Sequence, residues 1–226
     1  MQNSSFVRSN FPANCFSFAC LVLILIAVFS PLAAQDSSEA TEEQETALKI
    51  EAVLERITLD THKRAVWNAA KAIIAIRDQV PEIEEADPLL AEMSALLHDV
   101  GGGGAQNAAP GAVITERLLT ELDHDAEFVR AAARIVETHH VTNEFTEDDN
   151  TPEWKIVLVA DSPAIYPAFM SEEEFESWME RRRDQSFRYD FEKLRTSEEA
   201  FVEAVRSELV FLEKRVAEAL KQNNAN

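Results

Sequence analysis

The side chains able to do chemistry in this sequence are histidines, carboxylates and hydroxyls, and several of the histidines and carboxylates stand where an apolar run ends. Leu96-Leu97 leads into His98-Asp99 ahead of four glycines, Ile135-Val136 leads towards His139-His140, and Val157-Leu158-Val159-Ala160 ends in Asp161. His62 stands in the first turn of a further apolar stripe. Neutral imidazole nitrogens and hard carboxylates together suit a divalent cation such as Mn, Fe, Co, Ni, Zn or Mg. Singly, each residue reads as an ordinary core or capping side chain. Together, four helices presenting His or Asp from apolar faces hold nearly all the metal ligands available. The other histidine, His124, sits in Asp123-His124-Asp125, where Asp125 is an N-cap and solvent exposure is expected.

The remaining chemistry is narrowed by the cysteines. Cys15 and Cys20 both fall in an amino-terminal segment in which Arg8 precedes an apolar run from Phe16 to Phe29, followed by Ser30-Pro31-Leu32-Ala33-Ala34. That order predicts a signal peptide over residues 1–34, cleaved near Ala34, with an uncleaved membrane anchor as the alternative. The protein is therefore expected in the periplasm or secreted, with a membrane as partner only if the segment is retained. The exported part has no thiol, which excludes an internal disulfide, a cysteine nucleophile and a Cys-type zinc site. A formal net charge of −20 argues against duplex nucleic acid or an anionic bilayer as main partner.

The elements that must position these residues read as helices throughout. Residues 35–46 look like an acidic linker, and residues 47–226 like one helical domain. Apolar periodicity begins near Ala47, and further helices are expected over Asp60–Asp78, Pro88–Asp99, Gly111–Leu122, Ala126–His140 and Trp154–Ser162. Ser171 opens another through a capping box, and Thr196 or Ser197 caps a long amphipathic helix. Arg181-Arg182-Arg183 reads as a solvated cluster complementing a helix C-terminus. Gly101–Gly104 is expected to be a turn beside a site, since Ala105-Gln106-Asn107 lacks the Lys-Ser or Lys-Thr of a phosphate loop.

The ordered set of Thr61-His62, Ala95-Leu96-Leu97-His98-Asp99-Val100-Gly101, Pro110-Gly111-Ala112, Ile135-Val136-Glu137-Thr138-His139-His140 and Val157-Leu158-Val159-Ala160-Asp161 resembles the HD-domain metal-dependent phosphohydrolase superfamily. Leu194-Arg195-Thr196 before a long helix resembles its small single-domain branch. The resemblance implies an all-α, HD-domain-like helical bundle with additional C-terminal helices. It further implies one divalent metal held by His62, His98, Asp99 and Asp161, with Asp99 catalytic. His139 and His140 match the pair that holds a second metal in two-metal relatives, or would contact substrate. Asn107 stands where those relatives carry a histidine, which favours one ion, and Gly102 replaces a cation common after the His-Asp motif. Lys63 and Arg64 are the candidate phosphate contacts. The expected activity is hydrolysis of a small phosphate ester or anhydride by a metal-activated water. The alternatives are a non-catalytic binding or scaffold protein and a di-iron oxygenase.

Overall fold

Caps written into the sequence start most of the helices. In the computed structural model, which describes residues 41–140, 145–182 and 190–223, helix α1 (Glu42–Leu54) begins ahead of Ala47 because Thr41 and Gln44 form a reciprocal capping box. The expected signal peptide or anchor, Cys15, Cys20, residues 35–40 of the expected acidic linker and Arg183 lie outside the described residues. Asp60 accepts from the Lys63 backbone and opens α2 (Thr61–Ala75). Asp87, ahead of Pro88, opens α3 (Pro88–Leu97), and α4 (Ala108–Glu121) starts just ahead of the expected Gly111. Asp125 caps α5 (Ala126–Thr138), and Thr151 caps α6 (Pro152–Ala160). The Ser171–Glu174 box opens α7 (Glu172–Arg181). Asp190 caps a short α8 (Phe191–Thr196) that periodicity did not single out, and Ser197 accepts from the Ala200 N–H at the start of α9 (Glu198–Asn223).

No strand occurs among the described residues, and the fold is an all-α bundle with added C-terminal helices. None of the described helices is long and apolar enough to cross a membrane.

Helix α3 explains how the bundle is centred. Its apolar residues cover all sides, so it must be enclosed. Ala91 and Ala95 join one core cluster, with Ile73 of α2, Trp154 and Ile156 of α6, and Val205 and Leu209 of α9. Met93, Leu96 and Leu97 join a second cluster, with Val53 of α1, Leu119 of α4, and Val129 and Val136 of α5. A large apolar side chain buried this fully contributes about 1.5–3 kcal/mol. The residues just past Leu97 are consequently carried into the interior, between the two clusters.

The connection into α6 is held by ions. Arg134 Nε and Nη2 donate to the two carboxylate oxygens of Asp149 at 2.6 and 2.8 Å, while Thr146 donates its N–H and Oγ1–H to Asp149 Oδ2 at 2.7 and 2.9 Å. Burial pushes the Asp149 carboxyl up, but the Arg134 and Thr146 bonds outweigh it and leave the pKa below the usual value. A carboxylate lowered in the folded state stabilises it above the unfolded pKa near 4, and that contribution is lost as pH falls through the folded value. Asp149→Ala should cost about 2 kcal/mol at neutral pH, and the deficit should shrink below about pH 4. Urea unfolding across this range checks both statements.

Candidate metal centre

Four helix ends converge on one place. Asp161 follows α6, His98 and Asp99 follow α3, His139 and His140 follow α5, and His62 lies in the first turn of α2. Three of these are C-termini, whose partial negative charge favours a cation. His98 and His139 are almost fully buried, at 1% and 4% exposure, and Asp99 is 9% exposed.

Backbone carbonyls decide which imidazole nitrogen faces the centre. His98 Nδ1 lies 2.8 Å from the Ala95 carbonyl and His139 Nδ1 lies 2.6 Å from the Val136 carbonyl. A ring nitrogen so placed is the donor, which leaves Nε2 with its lone pair turned inward, as a metal-binding histidine requires. His98 Nε2 lies 3.3 Å from His62 Nε2 and 3.5 Å from Asp99 Oδ2. His62 Nε2 is 3.1 Å from Asp161 Oδ1 and 3.5 Å from Asp99 Oδ2.

Two ligand groups result. His62, His98 and Asp161 form one, and Asp99, His139 and His140 form the other, the ligand atoms in each lying within 4.8 Å of one another. Asp99 turns Oδ2 to the first group, and its Oδ1 is 3.7 Å from His139 Nε2. Asp99 Oδ1, His139 Nε2 and His140 Nε2 are buried and have no hydrogen-bond partner among the described residues. Buried lone pairs left without donors carry a penalty of about 1–3 kcal/mol each. A divalent cation answers that shortage, so the residues present fit a metal.

Electrostatics agree with that fit. Burial pushes the His98 and His140 imidazoles below their usual pKa and favours their neutral forms. Burial also works against the charge on Asp99, but His139, His98 and His62 outweigh it and bring its pKa down to about 2. Asp161 is likewise lowered against burial by His62 and His98. On His62, burial is outweighed by Asp161 and Asp99, and its pKa rises.

The glycine turn fits tightly beside the centre. A Cβ on Gly101 would lie 2.6 Å from the Gly111 nitrogen and 2.7 Å from the Asn107 carbonyl oxygen. Gly102 has φ of 101°, a conformation that side chains other than glycine rarely adopt, which accounts for the missing cation after the His-Asp motif. Asn107 donates its amide to the Gly103 carbonyl at 2.9 Å and so holds this turn.

Other expected residues are placed apart from the ligand groups. Arg64 Nη2 donates to Glu174 Oε1, which also accepts from Thr61 Oγ1 at 3.1 Å, so this cation ties α2 to α7. Lys63 pairs with Asp60 at 3.3 Å and lines a separate cavity. His124 stacks on Phe128 with ring centroids 4.9 Å apart and belongs to neither group. Arg181 donates to Ser177 Oγ and Arg182 lies over the Trp178 ring.

Two further contacts border the centre. Tyr166, in a short 3-10 segment (Tyr166–Phe169), meets the His62 ring edge-on at 4.8 Å, and its hydroxyl accepts from Trp178 Nε1 at 3.0 Å. Ser162, next to Asp161, donates to Glu208 Oε2 at 2.8 Å, which anchors the Asp161 turn to α9. Glu208 is only 5% exposed, and its position between the apolar Val205 and Leu209 is the one hint the sequence offers.

Residues 59–164 match the family model of the HD domain, a span that contains His62, both His-Asp and His-His pairs of the centre, and Asp161. The match supports the HD superfamily, whose members generally bind divalent metals and act as metal-dependent hydrolases. No curated protein and no solved structure matches the chain.

Proposed function

We propose that this HD-domain chain is an exported metal-dependent phosphohydrolase acting on a phosphate ester or anhydride of a small molecule. The observation that carries the reading is the convergence of inward-facing lone pairs from His62, His98, Asp99, His139, His140 and Asp161, several of them buried without a donor. His62, His98 and Asp161, with Asp99 beside them, would hold one ion. Asp99, His139 and His140 form a second triad without any contribution from Asn107, so two ions sharing Asp99 extend the single-ion expectation.

A divalent cation here would acidify a water and neutralise negative charge developing on a phosphoryl oxygen. The protein's own part is to prepare the surroundings. The Ala95 and Val136 carbonyls hold His98 and His139 in one tautomer. Asp99, ionised and with one oxygen on each side, is the acceptor available for the proton of a water at this spot. His62, whose side chain is 36% exposed, marks the side open to substrate. Export rests on the apolar segment before Ala34.

Purified protein should bring down one or two equivalents of a transition metal by elemental analysis. It should also hydrolyse phosphatase or phosphodiesterase reporters only when the metal is present. Bound metal with no turnover on a broad panel would instead point to a binding protein on the same fold, and iron with oxygen consumption to oxidative chemistry.

A further inference from the structure

A groove of about 460 Å³, within the size range of small-molecule sites, is lined in part by residues next in sequence to two of the metal-site ligands. Its lining includes Arg56, Lys63 of α2, and Arg117 and Glu121 of α4, against an apolar wall formed in part by Val100 and Ile114. In a chain of net charge −20, three cations therefore face one carboxylate. Lys63 follows His62 in α2 and Val100 follows Asp99 after α3, so the groove wall and the ligand set share neighbouring backbone.

The existing ion pairs leave this positive charge available. Glu121 is 2.8 Å from Arg117 but 3.8 Å from Arg56, so one carboxylate serves two guanidinium groups. Lys63 is paired with Asp60, whose side chain is 57% exposed and also caps α2. The exposed Arg56–Glu121 and Arg117–Glu121 pairs contribute at most about 1 kcal/mol, which an incoming anion readily replaces. Ile114, 42% exposed, offers apolar surface next to the cations.

We propose that this groove is a specificity subsite for a second anionic group of the substrate, a carboxylate or a further phosphate joined to the reacting phosphate by an apolar body. The inference rests on the phosphohydrolase reading for its placement beside the reacting centre. Arg56, Lys63 and Arg117 bind the distal anion, while Val100 and Ile114 pack against the connecting segment.

The test uses the full chain loaded with its divalent metal and titrated calorimetrically with non-hydrolysable alkylphosphonates of graded length. Each length is tried plain, with a terminal carboxylate, and with a second phosphonate. At one length a terminal acid should tighten binding about tenfold, the effect of one well-placed charged contact. The two acidic series show which anion the groove prefers. In Lys63→Met with Arg117→Met the preference should fall towards parity, whereas Lys49→Met on α1 should retain it. No preference at any length, or a preference that survives the double substitution, overturns the proposal.

Simple alkanoates titrated into metal-free protein separate this result from the metal reading. If these bind and respond to the double substitution while plain phosphonates never bind, the groove stands and the phosphohydrolase reading falls. If phosphonates bind only with metal and a terminal acid never helps, the phosphohydrolase reading stands and the groove proposal falls.

Discussion

Asp161→Asn should yield a folded protein that divalent metal no longer stabilises. Asp161 Oδ1 lies 3.1 Å from His62 Nε2 and 3.9 Å from His98 Nε2, and its side chain is 22% exposed. Asparagine keeps the shape and one acceptor oxygen but removes the charge that a cation requires. The metal-free variant should therefore melt within a few degrees of the parent. The parent with metal at about 100 times its dissociation constant should gain about 2.7 kcal/mol, or roughly 5–11 °C for a chain of this size. The variant should show almost none of that gain, and any metal-dependent hydrolysis should fall by about 100-fold or more. Thermal melts with and without metal read the first effect independently of the unknown substrate. A variant that kept the full metal-dependent shift would remove Asp161 from the ligand set.

The second large effect belongs to Gly101→Ala. The new Cβ would meet the Gly111 nitrogen at 2.6 Å, the Asn107 oxygen at 2.7 Å and the Gly111 Cα at 2.8 Å, all backbone atoms that no rotamer change can move aside. The turn must separate from the start of α4, at a cost of about 3 kcal/mol or more. Because Asp99 is two residues away, metal affinity should fall with stability. Gly103→Ala is the contrast. Its Cβ would sit 3.4 Å from Asp99 Oδ2, an ordinary contact, so its stability should stay within about 1 kcal/mol of the parent. Denaturant unfolding of the two variants side by side tests the distinction, and equal stabilities would show that the close approach of Gly101 to Gly111 is not required.

Much of the helical plan is legible because caps act within a few residues. Asp60, Asp87, Asp125, Thr151 and Ser171 each bond to backbone N–H groups two or three positions on, so their effect is local. Thr41 and Gln44 act in the same way, but they stand in an acidic stretch whose composition resembles linker and hides the start of α1. The short α8 is harder to read, since six residues are too few to establish a period.

The site divides along a different line. Apolar runs ending in His98-Asp99, His139-His140 and Asp161 mark these residues from sequence, because a helix enclosed on all sides carries its last turn into the interior. Arg64 is a cation next but one to His62 in sequence, yet its bond to Glu174 ties it to α7. Tyr166 carries no local signal for its place beside His62, and Glu208 only its position between Val205 and Leu209, since the contacts themselves depend on how the 3-10 segment and α9 pack.

Sequence alone determined most of the helical elements and their caps, the types of the metal-competent residues and the order in which they occur, since propensity, capping and apolar periodicity act over one or two turns. Tertiary structure alone decided that His62 of α2 meets Asp161 after α6, that two carbonyls turn the His98 and His139 lone pairs inward, and that Asp99 lies between two ligand groups. Those outcomes depend on where helices distant in sequence cross and on which buried polar atoms are left without donors, and no local pattern encodes either.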